Sequence, residues 1–104
     1  MVAALVLATA CANGPLEVGL IQLGRSLNSD NSIGQSAIAF KPHETVYVSV
    51  HTDRTGTGTI GVKWYYRGAL MSEREKPVTF KGGGATEFHI QSTAGFPEGD
   101  YAVE

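Results

Sequence analysis

Thr45-Val46-Tyr47-Val48-Ser49-Val50-His51-Thr52 and, eight residues further on, Ile60-Gly61-Val62-Lys63-Trp64-Tyr65-Tyr66-Arg67 decide the fold. In the first octet Val46, Val48 and Val50 fall on one face and Tyr47, Ser49 and His51 on the other. In the second, Ile60, Val62, Trp64 and Tyr66 share a face and Tyr65 takes the opposite one. A strict period of two is the signature of a strand buried on one side, and β-branched and aromatic residues suit a pleated, half-buried surface. Each octet is therefore expected to give a core strand.

Shorter strands are expected on either side. Leu16, Val18 and Leu20 alternate with Glu17 and Gly19 before Gly24 interrupts them, which predicts a first strand. Residues 25–36, RSLNSDNSIGQS, are rich in side chains that bond the local backbone, so they predict a loop with a short edge strand near Ile33 or at Ile38–Phe40. Lys41-Pro42-His43-Glu44 predicts a turn, since proline fixes φ and removes a ladder donor. Glu73-Arg74-Glu75-Lys76 reads as a polar connector, and Val78 with Phe80 as a short strand. Gly82-Gly83-Gly84 then turns into Thr86–Gln91, which predicts a hairpin in which Phe88 and Ile90 oppose Glu87 and His89. A turn cluster, Gly95–Gly99, leads to a last strand at Tyr101–Val103. Beyond Gly14 no stretch of 12 residues carries helical apolar spacing, so the class is all-β, a sandwich or barrel.

Composition agrees and narrows the partners. A chain of 104 residues holds one core. Eight basic against ten acidic residues leave a charge of −2, which supplies no footprint for nucleic acid. Hydrophobic residues at 42% disfavour disorder, and thirteen glycines imply frequent turns. The one cysteine, Cys11, cannot form an internal disulfide, so the fold is held by its apolar core.

That cysteine closes the apolar run VAALVLATACA, Val2–Ala12, which is too short to span a bilayer and has the length of a signal-peptide core. Leu7-Ala8-Thr9-Ala10-Cys11 resembles the lipobox of bacterial lipoproteins, although Ala8 stands where that motif prefers leucine. The resemblance implies a signal-peptide-like segment at 1–10, acylation of Cys11, a short tether at 11–15 and a domain at 16–104. Ala12 in place of aspartate implies anchoring at the outer membrane, facing the periplasm. A buried Ala/Val/Leu strand with one core cysteine has the same composition, and that alternative stands beside the leader.

Val50, then Trp64 fourteen positions on, then Gly99-Asp100-Tyr101-Ala102-Val103 resemble the core landmarks of immunoglobulin-like sandwiches. The stretches FKPHETVYVSV, VKWYYRG, TEFHI and GFPEGDYAVE are also similar to an Ig-like domain of exported bacterial lipoproteins with no assigned activity. The resemblance covers about residues 40 to 104. It implies a Greek-key sandwich in which Val50 and Val103 stand where antibody domains carry cystine, Trp64 packs between the sheets and Tyr101 forms a tyrosine corner. It also implies a final strand beside Tyr101–Glu104 that the sequence does not supply. That edge is accordingly expected to be open to a protein partner or second copy, or to be covered by Leu16–Leu23.

Chemistry is faint. His51 and His89 are expected on outward faces of neighbouring strands, with Glu87 on the face of His89, a set able to ligate zinc or copper if it converges. His43 falls in a turn. Tyr47 and Tyr65 are the aromatic candidates for stacking on a sugar or anchoring a protein. Thr55-Gly56-Thr57-Gly58-Thr59 leads into a strand rather than a helix and is no phosphate loop, and no serine sits in a G-x-S-x-G elbow. The function expected is that of a non-enzymatic, lipid-anchored envelope module without a cofactor. The alternatives are a secreted recognition module using Tyr47 and Tyr65, and a small metal-binding protein using His51 and His89.

Overall fold

The computed structural model describes residues 4–8, 11–13 and 18–104 and is all-β. Ten strands follow in order: β1 Ala4–Ala8, β2 Cys11–Asn13, β3 Val18–Leu27, β4 Ile33–Ser36, β5 Ala39–Phe40, β6 Val46–Thr52, β7 Gly56–Tyr66, β8 Ala69–Phe80, β9 Gly84–Ile90 and β10 Gly99–Val103. Leu16, read as the start of the first strand, lies outside the described residues, as do the leader positions 1–3 and 9–10 and the tether positions 14 and 15.

Four strands form one sheet in the order β4-β3-β6-β9, antiparallel throughout. The other sheet runs β2-β7-β10-β1-β5, with β8 on the far side of β7. In it β10 and β2 lie end to end along one side of β7: Val103 is opposite Trp64, Glu104 exchanges two backbone bonds with Lys63, and Cys11 is opposite Gly61. The pairing of β1 with β10 is parallel.

The alternation that sets the fold is realised at both octets. Val46, Val48 and Val50 from the first sheet meet Ile60, Val62 and Trp64 from the second, and Phe40, Phe88, Phe96, Tyr101 and Val103 complete the core. Trp64 is only 2% exposed and Val50 is fully buried, so the indole is sealed between two layers of sheet. Tyr101 packs its ring against Phe96 and Tyr66 and donates its hydroxyl to the Pro97 carbonyl at 2.6 Å, back along its own chain.

Three expectations from the sequence are corrected. The polar stretch Glu73–Lys76 is no connector but the middle of β8, a twelve-residue strand paired along its length with β7. A two-residue turn makes that hairpin, with Arg67 at φ 49° and Gly68 at φ 82°. Left-handed conformation at both central positions matches the twist of the flanking strands, and glycine enters it without strain. The expected hairpin between 78–81 and 86–91 does not form, because β8 pairs with β7 and β9 with β6, so the chain changes sheets at 81–83. Residues 25–27 belong to β3 rather than to the loop, while short strands do form at Ile33–Ser36 and Ala39–Phe40, as expected. Register shifts between Gly24 and Leu27 absorb the irregular sequence there.

The edge of β10 also differs from expectation. It is neither open nor covered by the segment read as the first strand, whose described residues from Val18 on lie in β3 of the opposite sheet; β1 lies there, between β10 and β5.

Candidate functional site

The register of β6 and β9 places Tyr47 opposite His89, Ser49 opposite Glu87 and His51 opposite Ala85 on the outer face of the four-stranded sheet. His89 and Glu87 hydrogen-bond through Nδ1 and Oε1, and the Tyr47 and His89 rings lie 5.7 Å apart, tilted at 46°. The second Glu87 oxygen is 3.5 Å from the Lys76 ammonium. Lys76 comes from β8, donates to the Glu87 carbonyl and stands 4.9 Å from the centre of the Phe88 ring.

His51 belongs to a different network. Residues 28–32 fold over this face, held by Asn28 N–H to the Ser32 carbonyl at 2.8 Å and by Asp30, which accepts from the Ser32 amide and hydroxyl. These bonds hold the Asp30 carboxyl below its ordinary value, the Ser32 hydroxyl contributing most. Ser49 is thereby fully buried on the outward side of its strand and donates its hydroxyl to the Asn31 carbonyl at 2.6 Å. A hydroxyl has one proton to give, so the 3.1 Å contact from Ser49 Oγ to His51 Nε2 is a bond donated by the imidazole. The serine is closed to solvent and its proton is turned away from the histidine, the reverse of what nucleophilic catalysis requires. Strand alternation already puts Ser49 and His51 on one face, and that signal in the sequence was sufficient to pair them.

Of the proposed metal set, His89 and Glu87 come together and His51 is engaged with Ser49. Among the described residues no group of three or more His, Cys, Asp and Glu side chains gathers to hold a metal ion.

Tyr47 and Tyr65 do not make one aromatic platform. Each follows an inward-facing core residue, Val46 or Trp64, and so each lies on the outer face of its own sheet, on opposite sides of the molecule. Tyr65, half-buried, lines an open depression of about 420 Å³ with Arg67, Asp100, Ala102 and Glu104. A smaller hollow of about 220 Å³ continues along the same face between Lys63, Glu73, Glu75 and Glu104. This charged, shallow surface has no signal in the sequence, because its Glu73 and Glu75 lie in a strand that reads as a polar connector.

Cys11 opens β2, opposite Gly61 on β7. Val50, Trp64, Tyr101 and Val103, the four landmark residues, are all buried in the one core. Burial, with Tyr66 alongside, raises the Tyr101 hydroxyl above the ordinary tyrosine value and keeps it a donor to Pro97. None of the family models, curated proteins or solved structures compared with the chain matches it.

Proposed function

We propose that this protein is an exported, non-enzymatic Ig-like module of the bacterial envelope, tethered through an acylated Cys11 and facing the periplasm from the outer membrane. The observation that carries the reading is Leu7-Ala8-Thr9-Ala10-Cys11 at the end of a short apolar run. A lone cysteine preceded by small residues is what signal-peptide removal with acylation needs. The Ig-like assignment is supported by Trp64 sealed beneath two sheets and by the Tyr101 hydroxyl bonding back to Pro97, the pattern of a tyrosine corner.

The test is expression in a diderm bacterial host with a labelled fatty acid, read by intact mass and detergent partitioning. The expected product begins at Cys11, carries acyl chains, enters the detergent phase and loses its label on Cys11→Ala. A full-length, unmodified chain in the aqueous phase overturns the reading.

A second reading is favoured by one observation, the depression around Tyr65. An aromatic ring edged by Arg67, Asp100 and Glu104 suits a sugar or a polar peptide, and Tyr65→Ala is expected to abolish capture on a glycan or peptide array. Unchanged capture removes this reading.

A further inference from the structure

We propose that the gap occupied by β1 is a strand-acceptor slot, and that an extended apolar segment of a partner polypeptide takes it, parallel to β10, once residues 1–10 have been removed. The removal rests on the lipoprotein reading above; the slot itself rests on the sheet. β1 has backbone neighbours on both sides. Ala4 to Ala8 run beside Gly99 to Val103 in parallel register, and Ala4 and Leu5 face Phe40 and Ala39 of β5 in antiparallel register. Adjacent strands lie about 4.8 Å apart, so withdrawing β1 leaves roughly twice that distance between β10 and β5, the width of one strand.

The backbone of β10 is set for such a guest. Glu104 exchanges both its bonds with Lys63, and the Arg67 amide donates to the Asp100 carbonyl. In an antiparallel ladder the bonded side alternates, so Asp100, Ala102 and Glu104 turn their polar groups to β7 while Tyr101 and Val103 turn theirs to β1. With β1 gone, those N–H and C=O groups form an unpaired row beside the buried Phe40, Tyr101 and Val103.

Ala4-Leu5-Val6-Leu7-Ala8 shows what fits: five apolar residues, extended, in the same direction as β10. The same residues cannot be both a discarded leader and a permanent strand. Cleavage before Cys11 takes away the whole of β1 and leaves β2 on β7, so processing would convert a filled sheet into one that recruits a strand.

The test uses the full chain with a protease-recognition sequence in place of the Thr9-Ala10 link. It is folded intact, cut, and mixed with a fluorescent synthetic peptide of residues 2–9. The expected result is one peptide bound per chain, with the cut segment released. A peptide carrying Val6→Pro, which loses a ladder donor, is expected to bind about tenfold more weakly. The same peptide is offered in parallel to Cys11-processed protein extracted from membranes, which covers the event that the cleavable variant fails to fold; its intact mass reports separately whether processing occurs. A cut or processed chain that takes no peptide, that binds the Val6→Pro peptide equally, or that pairs only with a second copy of itself overturns the proposal. A natural chain whose intact mass shows residues 1–10 retained, beside a cut variant that takes the peptide, overturns the lipoprotein reading and leaves the slot standing.

Discussion

Tyr101 is the residue at which core and turn meet. Its ring lies 4.7 Å from that of Tyr66, and its hydroxyl fixes the Pro97 carbonyl at the entry to β10. Replacing it with phenylalanine keeps the apolar packing and deletes only that bond, so Tyr101→Phe is expected to cost about 1 kcal/mol in urea unfolding with an unchanged m-value. A loss of several kcal/mol would mean that the hydroxyl organises more than this turn. Gly24 makes a different demand. A Cβ there would come within 2.2 Å of the Gln35 carbonyl oxygen and 2.4 Å of an Ile33 methyl, and one of those is backbone that cannot rotate away. Gly24→Ala is expected to destabilise by roughly 1–3 kcal/mol and to separate β4 from β3, seen as faster amide exchange at Ile33–Ser36.

At the scale of the element, what could be read from sequence follows what a strand buries. β6 and β7 were legible because one face of each is core, so apolar residues recur at every second position. β8 was not. Apart from Ser72 and the partly buried Val78 and Phe80 it is exposed along its length, and its middle, Glu73 to Lys76, carries charge on both faces. Such a strand exists because β7 offers it a ladder and Arg67-Gly68 the turn, neither of which leaves an apolar period behind. The site divided in the same way: the pairing of Tyr47 with His89 follows from neighbouring core strands, whereas the charged hollow between β7 and β8 depends on the illegible one. β8 also guards β9, which ends the four-stranded sheet, since the Lys76 ammonium caps the Glu87 carbonyl. A lysine at a sheet edge opposes pairing with another chain. Lys76→Val is therefore expected to leave the fold intact and to introduce concentration-dependent self-association, measured by light scattering; a strictly monomeric variant would show that the edge is protected by other means.

Across the whole molecule the two sheets are joined by the core and, at one end, by a polar clamp. Arg25 on β3 of the four-stranded sheet donates through Nε to Glu44 at 2.7 Å and through a terminal nitrogen to the Ala39 carbonyl of β5 at 2.7 Å, its guanidinium 5.4 Å from the Phe40 ring centre. Glu44 also accepts from the Lys41 amide, and that bond first, then Arg25, holds its carboxyl below the ordinary glutamate value. A carboxyl depressed on folding binds fewer protons in the native state than in the unfolded one. Its contribution is therefore complete above the unfolded value of about 4.3 and is lost as pH falls through the lower, folded value. With both partners partly exposed, the ion pair itself is worth less than about 1 kcal/mol, and salt weakens it further. The effect expected is thus a modest loss of thermal stability between about pH 5 and pH 3, part of which Glu44→Gln removes by making the midpoint less dependent on pH over that range. Because β5 is also the outer neighbour of β1, Arg25→Ala is expected to loosen both together, with amide exchange rising at Ala39 and Phe40 and at Ala4 and Leu5 in the uncut chain. Exchange that rises at β5 alone would show that β1 is held by β10 without help, and the slot would then be an edge rather than a gap between two strands.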